Sequence, residues 1–544
     1  MNTTVTSTLL TLPTAVPLAV AGAYALTGSR QARQAAMVPT AGELVPAAAT
    51  GAGLPPIAVA EEPEPGKAAE EPESGKGDPE PPTRGWGGLV SPAVILACGG
   101  LLAARVLSEG AVSAYAGLLR ADALTAWMLL VIGAVAFVAC ASTPAHLAGE
   151  RAAGRATGQT AWRLHLLIHA FLAAMCLAVV TANLGVLWVA IEATTIVTAF
   201  LVGHRRTRAS VEAAWKYVVI CSAGIGLAFL GTVLIYYAAR QAGISETWAL
   251  DWPTLVARAD RLDPAVTRLG IALVVLGFGA KAGLVPLHAW LPDAHSQAPA
   301  PVSALMSGVL LSVAFGAVLR FKAIADAALG GDFTRALLTA IALLTLALAA
   351  ALLLAQRDYK RMLAYSSMEH MSLIALGAAI GSPLALSAAL LHIAGHGLAK
   401  SVAFCGAGRV LQLTGTARIG RVRGLFARSP WLGACLGAAV VALLGFPPFS
   451  LFASELALAR AGFADGMGWP MAAALLLVLI AFAAIAARTA RMLLGPAPTP
   501  RTPDEAPAAL WPLLTGLTAC AALGIATGPL GDLLTHAATV LEGH

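Results

Sequence analysis

The sequence predicts an all-α, polytopic membrane protein of about fourteen transmembrane helices. Three observations predict it. Of 544 residues, 58% are hydrophobic and only 12% are charged, about half the charged share of a soluble domain. So few charges cannot cover a chain of this length in water, whereas lipid solvates apolar surface. Apolar runs of about 20 residues recur along the chain, the length a helix needs to cross hydrocarbon. These runs are continuous in Leu, Ala and Val. Backbone groups in lipid must be paired within helices or closed barrels, and barrel strands would alternate, so the barrel is excluded.

The expected spans lie at roughly 5–27, 89–107, 121–142, 164–182, 184–203, 212–239, 269–287, 302–321, 335–355, 362–380, 384–411, 430–462, 470–494 and 508–534. The first contains Pro13 and Pro17. A secretory signal peptide is the alternative there, disfavoured because no basic residue precedes the apolar run. Residues 28–88 include EEPEPGKAAEEPESGKGDPEPP. Such a composition cannot bury a core and is expected to be disordered. It reads as a passive linker between the first two spans, with a docking tail as the alternative.

Loops after odd-numbered spans hold Arg151, Arg155 and Arg163, then Arg205, Arg206 and Arg208. Arg357, Lys360 and Arg361 follow, then Arg418, Arg421, Arg423 and Arg428, then Arg488, Arg491 and Arg501. The positive-inside rule makes this side cytoplasmic and puts both termini outside. The net charge of +6 is explained by these loops and does not indicate nucleic acid. Seven cysteines lie scattered in apolar segments without a CxxC pair. They read as small core residues, so no redox centre and no cofactor is expected in this chain.

Ionisable residues inside spans are costly and need a reason. Glu192, Lys281, Lys400 and Glu455 each lie in an apolar segment, more than a turn from any basic loop. His392, His396 and Lys400 are spaced i, i+4, i+8, forming one stripe about 12 Å long. Such a stripe suits proton donors and acceptors linked by water, since buried lysine and glutamate can exchange protons near neutral pH. Plainer readings stand beside this one. Glu192 and Lys281 could be a structural ion pair. Two histidines at i, i+4 could bind zinc, but no third ligand is visible nearby, so no metal is expected. Two spans are also interrupted by proline: one carries Pro286, Pro292, Pro299 and Pro301, the other GFPPFS at Gly445–Ser450. Broken helices are tolerated at membrane depth where they line a wet cavity. Lys281 just before one break and Glu455 just after the other favour an ion path over a simple kink. Their placement hints at inverted repeats.

The segment KAGLVPLHAWLPDAHSQAPAPVSALMSGVLL resembles the signature of the antiporter-like subunits of respiratory complex I, membrane-bound hydrogenases and Mrp antiporters. WVAIEATTI, KRMLAYSSMEHMSLIALG and LLHIAGHGLAKSVAF look closest to the hydrogenase-4 component F branch. The resemblance runs from about residue 89 to 500, leaving a first helix at 1–27 and a last one within 501–544. It implies fourteen helices with two inverted five-helix repeats, each with a broken helix. It implies that Glu192 and Lys281 form a switchable pair and that Lys400 and Glu455 complete an exit half-channel, with His392 and His396 between. Lys216, His288, His295 and Ser312 are supporting positions. Ser312 stands where some relatives carry a lysine, so the central relay departs from the family. Arg320 and Lys322, at the helix end, are poor substitutes. The family's long lateral helix is not expected, because the chain ends soon after the last span.

The function implied is proton translocation in the plasma membrane, within an oxidoreductase whose redox chemistry resides in other membrane and peripheral subunits. The alternatives are a stand-alone Mrp-like cation/proton antiporter and a non-conducting hydrogenase anchor. A mere anchor would gain from losing the intramembrane charges.

Overall fold

In the computed structural model the described residues are 3–36, 87–496, 509–526 and 528–542. The first longer helices are α1 (Thr3–Ala36), α2 (Val90–Glu109), α3 (Ala123–Ala152), α4 (Gly158–Val180), α5 (Leu184–Val202) and α6 (Arg208–Gln241). A broken helix follows as α7 (Pro264–Lys281) and α8 (Trp290–Gln297). Then come α9 (Ala300–Leu329, with a π turn at Met306–Leu310), α10 (Gly331–Ala355), α11 (Tyr359–Ile380) and α12 (Pro383–Thr414). A second break separates α13 (Pro430–Leu443) from α14 (Ser450–Ala464). The chain continues through α15 (Gly468–Leu493), α16 (Trp511–Ile525) and α17 (Gly528–Leu541). The all-α expectation meets one small exception, a hairpin of β1 (Val112–Ala114) and β2 (Leu119–Ala121), paired antiparallel with Val112 opposite Ala121.

Local chemistry sets many helix starts. Side-chain oxygens of Asp122, Asn183, Asp263 and Asp358 accept from backbone N–H groups in the first turns of α3, α5, α7 and α11. This satisfies donors that a helix leaves orphaned at its start.

Eleven described helices are long and apolar enough to cross a membrane, or twelve if the bent pair α16–α17 counts as one. That falls short of the fourteen expected, for a physical reason. The expected span at 362–380 lies within α11, which carries Lys360 and Arg361 in its first turn and Glu369 and His370 in its middle, and so is not apolar throughout. The expected span at 430–462 is split into α13 and α14, each too short to cross alone. Of the expected linker over 28–88, α1 continues helical to Ala36 and residues 87–89 form a 3-10 turn. The remainder, 37–86, lies outside the described residues.

α12 is the centre. It packs on α3, α9, α11, α13, α14 and α16, and every residue from Ala388 to Gly408 is buried. Exposed apolar side chains such as Phe200, Trp215, Val219, Leu476 and Leu479 sit on outer helices. Since lipid tails are as apolar as the core, helix association here depends on close packing. The α6–α7 seam shows how close: a Cβ added at Gly277 would lie 2.4 Å from the Ala228 backbone nitrogen. That contact holds the end of α7, and therefore Lys281, against α6.

Candidate functional site

Lys281 is the last residue of α7 and is fully buried. Its ammonium donates to Thr195 Oγ1 at 2.7 Å and to the Tyr217 hydroxyl, and it lies 4.7 Å from the centre of the Tyr217 ring. Thr195 is on α5, one turn beyond Glu192. Glu192 is half-buried, with Oε2 buried and unpartnered. The expected Glu192–Lys281 pair is therefore not a direct ion pair here. The two are within electrostatic reach of each other, but Thr195 and Tyr217 hold the ammonium.

Beyond the first break, Trp290 anchors α8 by donating from Nε1 to the Ala280 carbonyl at 2.9 Å, and its ring meets Tyr217 edge-on at 5.0 Å. His295, also on α8, is fully buried with neither ring nitrogen hydrogen-bonded. It stacks on Phe404 of α12 at 5.2 Å and lies within electrostatic reach of Lys360 and Lys400. Lys360 was expected in a basic loop. Instead it is buried at the start of α11 and donates to the Ser296 and Ala298 carbonyls at 2.7 and 3.0 Å. The reason is the free carbonyls at the end of α8, which a buried ammonium can satisfy.

The second half-site is built between α11, α12 and α14. Lys400 donates to the Leu363 carbonyl at 2.7 Å and to Ser366 Oγ. His396, one turn earlier, has both ring nitrogens buried and unpartnered, and its ring lies 5.1 Å from that of His370. His370 Nδ1 and His392 Nε2 share a hydrogen bond at 3.0 Å, and His392 Nδ1 bonds Ser454 Oγ at 2.9 Å. Glu455 follows Ser454. Its carboxylate lies against Gly445 in the second break, where a Cβ would sit 2.3 Å from Oε2. Gly445 has φ +66°, so both its backbone and the room beside Glu455 favour glycine.

His370, His392 and Glu455 place their ligand atoms within 4.8 Å of one another. This is not the His392–His396 pair weighed from the sequence, since His396 is not part of the cluster. His370 and Glu455 come from α11 and α14, far from the α12 stripe in sequence. Imidazole and carboxylate are ligands zinc accepts, though the His370–His392 hydrogen bond already serves one nitrogen of each ring.

The supporting positions divide. His295 lies on the buried line. His288 is half-buried in the first break with Nδ1 unpartnered, and Ser312 is buried with its hydroxyl unpartnered. Lys216 lies outside the line, on the surface, paired with Glu212 at 2.7 Å and Asp293 at 3.0 Å. Lys322 pairs with Asp326 and Arg320 with Asp122, so neither basic residue of α9 is free to stand in beside Ser312.

Sequence reasoning missed Glu369 and His370, both buried on α11. Glu369 Oε2 is unpartnered, and the residue is within electrostatic reach of Lys400 and Glu455. The signal was present: both are ionisable residues inside an apolar segment, the criterion that found the other four.

This arrangement defines a class of membrane protein in which two broken helices flank a chain of buried ionisable groups. Residues 181–481 match the family described as NADH:quinone oxidoreductase/Mrp antiporter, transmembrane, and the chain belongs to that family. It is 38% identical over 357 residues to the hydrogenase-4 component F homolog of Methylacidiphilum infernorum (isolate V4), covering 66% of this chain and 74% of that one. A chain of the membrane-bound sulfane sulfur reductase, an archaeal respiratory membrane complex, superposes with TM-score 0.74 at 26% identity, covering 84% of this chain and 92% of that one. A chain of the Mrp complex from Dietzia sp. DQ12-45-1b shares the fold, with TM-score 0.77 at 20% identity over 99% and 98% of the two chains.

Proposed function

We propose that this chain is the proton-translocating membrane subunit of a respiratory-type oxidoreductase, coupling electron transfer in partner subunits to proton movement across the membrane. One observation carries the reading. Lys281, His295, Lys400, His396, His370 and His392 are buried ionisable groups running from the first broken helix toward the second, where half-buried Glu455 stands beside His370 and His392. Buried charges persist where they serve ion movement. The unpartnered nitrogens of His295 and His396 suit water-linked transfer, since buried polar groups require partners.

Lys281 rests on Thr195, one turn from Glu192. A partner subunit that alters the field at half-buried Glu192 shifts the balance between the Thr195-bound ammonium and an ammonium paired with Glu192. That choice is the switch. Lys400 and His396 pass the change to the His370–His392 pair, and Glu455 is the terminal group. The other membrane and peripheral subunits of a hydrogenase-4-like or NADH dehydrogenase-like complex supply the redox centres. The chain resides in the plasma membrane with its basic loops in the cytoplasm and both termini outside, and the segment 37–86 between the first two helices serves as a linker.

Proton uptake by inverted vesicles holding the assembled complex, driven by its electron donor, tests the reading. Lys400→Met is expected to abolish uptake while electron transfer is slowed and the protein level is kept. Uptake at the wild-type rate in that variant overturns it. Sodium flux without any electron donor in the same vesicles would instead identify a stand-alone antiporter.

A further inference from the structure

Away from the buried line, one concavity gathers a charge that proton transfer does not use. It has a volume of about 900 Å³ and lies where three segments meet: the end of α10, the loop 418–423 and the end of α15. Its walls hold Arg357, Arg418, Arg421, Arg423, Arg488 and Arg491, and the acidic side chain among them is Asp358 alone.

Backbone hydrogen bonds fix this frame. Tyr359 N donates to the Ala417 carbonyl at 3.0 Å and Ile419 N to the Arg357 carbonyl at 2.9 Å, closing the first two segments on each other. Gly424 N donates to the Leu494 carbonyl at 3.2 Å, tying the loop to the end of α15. Asp358 is spent as the cap of α11, accepting from Arg361 N at 3.0 Å. Arg488 is spent capping α10, donating to the Gln356 carbonyl at 2.9 Å and to that of Leu354. Among the described residues, the guanidinium groups of the other five arginines have no hydrogen bond or ion pair.

Setting membrane orientation requires only that basic residues lie on this side. It does not require three separate segments to converge on one basin, where five like charges repel. An anion removes that cost, and guanidinium forks match phosphate oxygens two at a time. The rim indicates where the anion resides. Leu354 on the wall and Leu494 beside it are exposed, as are Leu344 on α10 and Leu476 and Leu479 on α15, two helices that pack on each other. An apolar outer face thus leads to the basin, as acyl chains lead to a headgroup.

We propose that this basin binds the headgroup of an anionic phospholipid, with its acyl chains along the outer face of α10 and α15. Its size and five unpaired guanidinium groups suit a headgroup bearing two phosphates better than one. The proposal rests on the membrane setting and is independent of proton transport.

The test uses the full chain, purified in neutral detergent and titrated with tetraoleoyl cardiolipin, dioleoyl phosphatidylglycerol, dioleoyl phosphatidylcholine or inorganic phosphate, with bound molecules counted by native mass spectrometry. Wild type is expected to retain cardiolipin most strongly and phosphatidylcholine least. The variant Arg418→Gln/Arg421→Gln/Arg423→Gln is expected to bind cardiolipin on the order of a hundredfold more weakly, at about one kcal/mol per charge removed. Arg357→Gln/Arg491→Gln, which alters the other two walls, is expected to weaken it on the order of tenfold. The second variant gives an independent reading should the first fail to fold. Equal cardiolipin binding by wild type and a folded variant overturns the proposal. So does competition by inorganic phosphate at the concentration at which cardiolipin binds, which would mark a soluble-anion site. Loss of a copurifying subunit with cardiolipin binding intact also overturns it, assigning the basin to an acidic protein partner.

Discussion

Lys281 and Glu192 do not touch: the Lys281 ammonium donates to Thr195 Oγ1 at 2.7 Å, one turn further along the helix that carries Glu192. In the proposed switch the threonine hydroxyl and the carboxylate compete for the same ammonium. A residue that can choose between two acceptors on one helix face is a two-state element, and a partner subunit needs to shift only the balance. A permanently closed ion pair would have to be broken first.

Replacing either member of this pair should separate conduction from structure. Glu192→Gln and Lys281→Met are each expected to abolish proton uptake while the protein still inserts, and Glu192→Asp to keep part of it. The double neutral variant is expected to recover abundance but not flux, because a lone charge is costly in lipid and a neutral pair is not. Uptake normalised to protein level reads this. Recovery of flux in the double variant would mean that the pair is structural.

Thr195→Val removes the competing acceptor at nearly constant volume. The lost hydrogen bond to a charged group costs about 1.5–3 kcal/mol, so the protein level should fall only modestly. With Thr195 gone, Lys281 retains Tyr217 and gains cause to pair with Glu192. Uptake is expected to fall several-fold, with the remaining flux still abolished by Glu192→Gln. Unchanged uptake in Thr195→Val would remove the threonine from the switch.

His370 and His392 come from different helices and share a hydrogen bond at 3.0 Å. His370→Phe preserves an aromatic ring but leaves His392 Nε2 buried without that partner, at about 1–3 kcal/mol. Reduced abundance and uptake at background are expected. His370→Gln, which can still pair with His392 but is a poor proton carrier, should restore abundance and not uptake. The two measurements together distinguish a packing role from a conducting one.

The legibility of this site in the sequence follows from what each feature depends on. Glu192, Lys281, Lys400 and Glu455 were readable because a charge within an apolar run is a local anomaly. The His392–His396–Lys400 stripe was readable because helical spacing is fixed. What crosses between helices was hidden. Nothing near His392 announces that Ser454 accepts or donates beside it, or that His370 and Glu455 complete its surroundings. Lys360 looked like a loop residue because its carbonyl partners lie on α8, more than sixty positions away. The expected fourteen spans and the eleven or twelve helices that are long and apolar enough differ at α11 and at α13–α14, where buried polar groups and a helix break make the sequence look least like a membrane span.

Gly445 ties backbone geometry to the terminal carboxylate. With φ +66° and Glu455 Oε2 in the way of any Cβ, Gly445→Ala should both strain the break and displace Glu455. Gly415→Ala is the control: it has φ +68° and nothing within 4 Å of an added Cβ. The left-handed backbone alone costs roughly 1–2 kcal/mol, so both variants should lose some stability. Only Gly445→Ala is expected to lose most of its proton uptake per molecule. Equal uptake in the two would mean that the position of Glu455 does not matter.

Not every buried charge here lies on the proposed path, and Asp122–Arg320 marks the contrast. Arg320 donates to Asp122 Oδ1 at 3.0 Å and to Thr125 Oγ1 at 3.0 Å, pairs with Oδ2 at 2.5 Å, and lies 4.3 Å over the Trp252 ring. Asp122 also caps α3 by accepting from Thr125 N at 2.8 Å. This pair has its hydrogen bonds satisfied and no unpartnered neighbour on the line from Lys281 to Glu455, so it reads as a clamp between α3 and α9. Breaking such a buried pair leaves an uncompensated guanidinium and costs about 3–5 kcal/mol. Asp122→Asn is therefore expected to lower the amount of protein in the membrane severely. The molecules that do insert should translocate protons at close to the wild-type rate, the reverse of Lys400→Met. Immunoblotting of membranes together with uptake per molecule separates the two patterns. A variant present at normal level but unable to take up protons would place Asp122 on the path and extend it to the far end of α9.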